Sequence, residues 1–176
     1  MTTKQKQCLL CYLGHYHGAI DGIWGAGSAA AAMEFQRSQG LVPTAELDED
    51  ALRSAVCSDR TDWWEEIEFF DRKEFACKCG KYCDGYPAEM DKLLVTCADR
   101  LRRSFGSPII VSSGMRCSCH NANVGGISNS RHLTGKAMDF CVPGRTARQI
   151  LEQVLQQPEI RYAYAIDESY VHMDVN

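Results

Sequence analysis

Ser130-Arg131-His132-Leu133-Thr134-Gly135-Lys136-Ala137-Met138-Asp139, answered near the C-terminus by Tyr170-Val171-His172-Met173-Asp174, decides how this chain is read. In the second stretch the side chains at 170, 172 and 174 share one face of a strand, and Val171, Met173 and Val175 share the other. Met138, Phe140 and Val142 alternate in the same way with Ala137, Asp139 and Cys141, so Asp139 also lies on a strand. His132 precedes it in a loop that Gly135 allows to turn. Two strands side by side with a loop above them can bring these three donors to one ion. Two imidazoles and a carboxylate form the donor set of a zinc centre that leaves a fourth position open. Such a centre usually serves hydrolysis. A lone histidine at either place would read as an ordinary surface or core residue; the three together point to metal.

Working outward, the second half alternates helices and strands. Met90, Leu93, Leu94, Cys97, Ala98, Leu101 and Phe105 recur at helical spacing, and Gly106 and Pro108 stop that helix. Ile109-Ile110-Val111 reads as a buried strand. Thr146 and Gln149 form a capping-box pair that opens a helix with Ile150, Leu151, Val154 and Leu155 inward. Residues 162–166 and 170–175 read as a closing hairpin. The expected class is α+β, a small antiparallel sheet with packed helices over residues 66–176.

The first part of the chain, residues 1–58, reads as a small all-α domain of three helices. One is expected from Lys4 to Leu13, one from Ala29 to Gln39, and one from about Asp48 to Val56. Ser28 is the expected N-cap of the second, and Gly40 its terminator. The polar stretch 58–66 is the expected boundary, with Trp63 and Trp64 packing the two domains together.

The chain has 176 residues, 45% of them hydrophobic, enough for a packed core. A formal charge of −4 and a pI near 5.7, without a long basic run, argue against a nucleic-acid partner. No apolar stretch approaches the roughly 20 residues needed to span a bilayer. Residues 1–13 are polar and then only briefly apolar, which does not read as a secretory signal. Delivery outside the cytoplasm would then need another route.

Ten cysteines are many for this length, and without an export signal reduced thiols or metal ligation are expected over a disulfide framework. Cys77-Lys78-Cys79-Gly80-Lys81-Tyr82-Cys83 could hold a structural zinc, with Cys117 or Cys119 as fourth ligand, although the spacing is not that of a standard ribbon. Disulfides from Cys77 or Cys83 to Cys117 or Cys119 are the competing reading.

Two resemblances sharpen the picture. Asp21-Gly22-Ile23-Trp24-Gly25, Phe35-Gln36 and Gly40-Leu41 resemble the three-helix peptidoglycan-binding domain found beside many cell-wall hydrolases. Trp24 then becomes a candidate for stacking on sugar, with a core role as the alternative. Ser130-x-His132-x-x-Gly135-x-Ala137-x-Asp139 followed by His172 resembles the zinc D-alanyl-D-alanine carboxypeptidase and L-alanyl-D-glutamate endopeptidase family, whose metal site is shared with lysostaphin-like enzymes and the hedgehog domain. Ser112-Ser113-Gly114-Met115-Arg116 and His120-Asn121-Ala122-x-Val124-Gly125-Gly126 also fit its phage-lysin-like branch.

The second resemblance implies Zn²⁺ held by His132, Asp139 and His172, and cleavage of a peptidoglycan stem peptide. A monomer made in the cytoplasm, acting on the wall after lysin-like release, is expected. Hydrolysis also needs a carboxylate to carry the proton from water to the leaving amine. A common family pattern places glutamate three residues before the last histidine, but position 169 is serine. Asp167 or Glu168 is the expected base, and Asp174 the next candidate, as base or as orienter of a ligating histidine. Arg116 is expected to clamp a substrate carboxylate or stabilise the oxyanion. Ser130 is expected to hydrogen-bond substrate, and His120 to be structural. The competing function is a non-catalytic, zinc-containing wall-binding module.

Overall fold

The computed structural model describes residues 1–56, 63–85 and 89–176. Residues 57–62, which carry Cys57 and most of the expected boundary, lie outside the described residues.

Three helices open the chain: α1 (Thr3–Tyr12), α2 (Ala26–Ser38) and α3 (Glu49–Val56). A capping box at Thr2 and Gln5 starts α1. The expected start of α2 is corrected. The helix begins at Ala26 with Gly25 as N-cap, so Ser28 lies inside it and is buried. The Ser28 hydroxyl accepts instead from Gln7 Nε2 at 3.2 Å. That buried amide also donates to Asp21 Oδ1 and Ile23 O, and its oxygen accepts from Gly22 N–H. Gln7 thus holds the Asp21-Gly22-Ile23 turn against α1. Gln36 does the same for the next loop, donating to Glu46 O at 2.7 Å and accepting from Thr44 N–H at 2.7 Å. Leu9, Leu10, Ala32, Phe35 and Leu52 fill the centre between the helices. Leu41 N–H donates to Gln36 O at 2.8 Å, with Gly40 left-handed, which ends α2 as expected.

Trp63 and Trp64 open the second part as a stacked pair, ring centroids 4.7 Å apart, and Trp64 meets Phe75 edge-on. Helix α4 (Lys92–Phe105) ends at left-handed Gly106. It begins two residues after Met90, and Leu93 is exposed while Val95 is buried. The expected apolar face is therefore rotated slightly at its N-terminal end.

The strands are β1 (Ile110–Ser113), β2 (Ala137–Cys141), β3 (Ile160–Ala165) and β4 (Tyr170–Val175). They form one antiparallel sheet in the order β1-β2-β4-β3. A short helix, α5 (Ser118–Asn123), follows β1, and α6 (Ala147–Val154) connects β2 to β3. The Thr146–Gln149 capping box that starts α6 forms as expected. Met138, Phe140, Val171, Met173 and Val175 are wholly buried on the core face of the sheet. No helix among the described residues is long and apolar enough to cross a membrane.

Candidate metal centre

The β2–β4 register sets Asp139 directly opposite His172. Both side chains leave the face opposite the core, as the period of two requires. His132 joins them from a 3₁₀ turn (Arg131–Thr134) that ends at Gly135. Gly135 has φ +68°, and a Cβ there would lie 2.3 Å from Glu89 O. Only glycine lets this turn close against the chain entering α4. Arg116 N–H donates to His132 O at 2.9 Å and fixes the turn from its other side.

The three donor atoms converge. His132 Nε2 lies 3.3 Å from His172 Nδ1 and 3.2 Å from Asp139 Oδ1, and His172 Nδ1 lies 2.7 Å from the same oxygen. All three residues are buried. Ligands about 2.0–2.1 Å from a tetrahedral zinc are about 3.3 Å from one another, so this triangle is close to the right size for one ion.

Each donor is aimed by a partner behind it. His132 Nδ1–H donates to Gly114 O at 2.7 Å, which leaves the Nε2 lone pair in the site. His172 presents Nδ1 to the site and turns Nε2 towards Asp174 Oδ2 at 3.4 Å. Asp174 is gripped by Arg161, with Nε to Oδ1 at 2.8 Å and Nη2 to Oδ2 at 2.7 Å. Arg116 Nη2 donates to Asp139 Oδ2, and its Nε donates to Ser113 Oγ at 2.8 Å. Burial raises the Asp139 carboxyl, but its contacts with His132 and His172 and the charge of Arg116 outweigh this and hold it well below the usual carboxylate range. It is therefore ionised, as ligation needs.

The triangle opens on a cleft of about 580 Å³. Gly126, Ile127, Ser130 and Arg131 form part of its wall, and Tyr162 and Tyr164 flank it. The Tyr164 ring packs over His172, centroids 4.9 Å apart. Of the residues expected from sequence, His132, Asp139, His172, Arg116, Ser130 and Asp174 all reach this cleft.

Three of the expected residues lie outside this cleft. Asp167 and Glu168 lie in the β3–β4 hairpin, outside the cleft lining. Asp167 Oδ1 accepts from Ser169 N–H at 2.7 Å and Tyr170 N–H at 2.8 Å, so it builds the turn. Those bonds hold its carboxyl below the usual range, which makes it a poorer proton acceptor. Trp24 is half-buried at the other end of the chain, and its indole N–H donates to Ala45 O at 3.0 Å. Its ring packs against the helical core.

Sequence reasoning missed Arg161 and Tyr164. A bulge between Ile160 and Tyr162 shifts the β3–β4 register, so strict alternation does not place Arg161 beside Asp174. Tyr164 was legible in principle, since it pairs directly with His172.

Fold and site together define a protein built around a three-donor, open-sided metal centre on an antiparallel sheet, preceded by a small helical unit. The chain belongs to the Peptidase M15 family, which it matches over residues 68–174. Residues 3–54 match the family described as "Putative peptidoglycan binding domain". The chain is also similar to the zinc D-Ala-D-Ala carboxypeptidase of Streptomyces albus G, at 30% identity over 142 residues, 74% of this chain and 55% of that protein. It thus spans about half the length of that curated relative. Family, relative and donor set agree on Zn²⁺ as the cofactor.

Proposed function

We propose that this chain is a zinc-dependent peptidase that cuts the peptide stem of peptidoglycan, working as a monomer held on the cell wall by its N-terminal helices. The observation that carries this reading is the convergence of His132 Nε2, Asp139 Oδ1 and His172 Nδ1 within 3.3 Å of one another at the floor of an open cleft. His132, Asp139 and His172 would hold the ion. When bound, Zn²⁺ supplies Lewis acidity, which polarises a scissile carbonyl and makes water a usable nucleophile near neutral pH.

The remaining residues prepare that chemistry. Arg116 keeps Asp139 Oδ1 aimed inward by holding the other oxygen, and it leaves guanidinium N–H groups for the substrate. Arg131 adds a second cation to the same cleft. Two arginines suit a substrate with a carboxylate near the scissile amide, as D-alanyl-D-alanine has at its C-terminus. Ser130, on the cleft wall, would hydrogen-bond the substrate backbone. Tyr164 packs its ring against that of His172. Asp174 positions His172 through the ring Nε2.

D-alanyl-D-alanine is the first bond to test, because the relative's name specifies it and the arginine pair suits it; the L-alanyl-D-glutamate bond is the second. Zinc-loaded protein incubated with wall fragments should release D-alanine or shortened stems, read by mass spectrometry. Asp139→Ala should leave the stems intact. If wild type and Asp139→Ala both leave them intact while binding to wall persists, the chain is a non-catalytic wall-binding module.

A further inference from the structure

A second group of donors converges outside the cleft. The Sγ atoms of Cys77, Cys79, Cys83 and Cys117 all lie within 4.8 Å of one another. Cys77, Cys83 and Cys117 are buried and Cys79 is half-buried. None of them has a part in the hydrolysis proposed above. Three come from the loop after the 3₁₀ turn Arg72–Phe75, which folds back so that Cys77 N–H donates to Gly85 O at 3.1 Å. Left-handed Gly80, Asp84 and Gly85 give that loop its curvature. The fourth comes from Cys117, the N-cap of α5.

Backbone donors point at these sulfurs. Cys117 N–H donates to Cys77 Sγ at 3.4 Å, Tyr82 N–H to Cys79 Sγ at 3.3 Å, and His120 N–H to Cys117 Sγ at 3.4 Å. Such donors favour thiolate, the form that ligates metal. Several buried thiolates in one place are costly unless a cation joins them, and a soft divalent ion meets all four at once. Zinc–sulfur bonds of about 2.3 Å in a tetrahedron put the sulfurs about 3.8 Å apart, which fits this cluster. Cys79 and Cys83 are already 3.4 Å apart.

We propose that Cys77, Cys79, Cys83 and Cys117 form a second, tetrathiolate site that binds a structural zinc ion. With four protein ligands it has no open position and does no chemistry. It fastens the Cys77–Cys83 loop to the start of α5, one residue from Arg116, and so steadies the arginine that orients Asp139. The same loop seats the N-terminal helix. Lys4 Nζ donates to Lys81 O at 2.8 Å, Gln5 Nε2 donates to Asp84 O at 3.0 Å, and the Cys8 thiol reaches Cys83 and Cys117. One ion therefore orders the loop, the approach to α5 and the surface on which α1 rests.

The test is zinc stoichiometry on the full chain, produced with zinc and kept reduced. The wild type should carry two equivalents, and His132→Ala/His172→Ala should keep one, surrounded by sulfur at about 2.3 Å in X-ray absorption. In the zinc-loaded wild type, Cys77, Cys79, Cys83 and Cys117 should resist iodoacetamide until a chelator removes the ion. This alkylation readout decides the matter if the double variant does not fold. One equivalent in the wild type with none in a folded double variant overturns the proposal. So does immediate alkylation of the four cysteines in zinc-loaded protein, or an intact mass showing two disulfides among them.

Discussion

The two donor clusters of this chain solve different problems with different surroundings. Around His132, Asp139 and His172 the outer partners are mostly charged: Arg116 behind Asp139, and Asp174 with Arg161 behind His172. Around Cys77, Cys79, Cys83 and Cys117 they include backbone N–H groups from the loop and α5, together with the His120 ring, whose Nδ1 lies 3.3 Å from Cys77 Sγ. Side-chain partners hold a ligand in one orientation yet leave space in front of it, where a 580 Å³ cleft opens. Backbone partners let the chain wrap the sulfurs closely, with three of the four buried and Cys79 half-buried. The contrast teaches that the same ion takes its role from how much of its surface the fold covers.

Removing a ligand from the open centre should have the largest effect. His172→Ala should lower stem-peptide cleavage on the order of 10³-fold, since several kcal/mol of electrostatic stabilisation depends on the ion. Total zinc should fall by one equivalent, and the far-ultraviolet circular dichroism should be unchanged. Wild-type-like cleavage by His172→Ala would break the comparison at its first term.

A smaller effect separates ligand from positioning residue. Asp174→Asn keeps the shape of the Arg161–Asp174–His172 chain but removes the carboxylate that fixes the tautomer. Zinc affinity, measured by competition with a chelator, should weaken about 10–100-fold. At saturating zinc kcat should largely recover, because Asp174 acts through His172. Equal loss of kcat at all zinc concentrations would instead make Asp174 a catalytic residue.

How much of this was legible in the sequence follows from the range of each signal. The convergence of His132, Asp139 and His172 was readable because two of them sit on strands whose apolar partners, Met138 and Phe140 or Val171 and Met173, alternate without interruption. Arg161 was hidden by a bulge that no alternation pattern reports. Ser28 looked like a cap because serine before an alanine run normally is one, but a buried glutamine from another helix claimed its hydroxyl. The fourth thiol was undecided between Cys117 and Cys119 in the sequence, where only Ser118 separates them. The turn into α5 brings Cys117 to the cluster and leaves Cys119 out of it. Cys8 could not be foreseen there, since its approach depends on how α1 packs against a loop some seventy residues away.

The hairpin acids give a smaller expected effect still. Loss of a general base costs about 10²–10⁴-fold. Asp167→Asn and Glu168→Gln should each leave kcat within about 3-fold of wild type, well short of that range, because neither side chain lines the cleft. A loss of 10²-fold in either would mean that the hairpin folds over the site during turnover, and the open centre would then be less open than its cleft suggests.

The smallest effect lies furthest from both clusters, and it measures how much an exposed ion pair matters to the helical unit. Glu49, at the start of α3, meets Lys6 Nζ at 2.8 Å and the Met1 amino group at 2.9 Å. Hydrogen bonds from Lys6 and the amino group hold its carboxyl down to about 2. A depressed carboxylate contributes stability above its unfolded value, near 4.5, and loses that contribution as pH falls towards 2. The side chain is 37% exposed, so solvent screens the pair and its worth is that of a surface ion pair, below about 1 kcal/mol. Glu49→Gln should therefore lower the thermal midpoint slightly at pH 7 and make progressively less difference as pH falls through about 2, with zinc content and cleavage at pH 7 unchanged. A large loss at pH 7 would show that α1 depends on this contact more than on its seat against the cysteine loop.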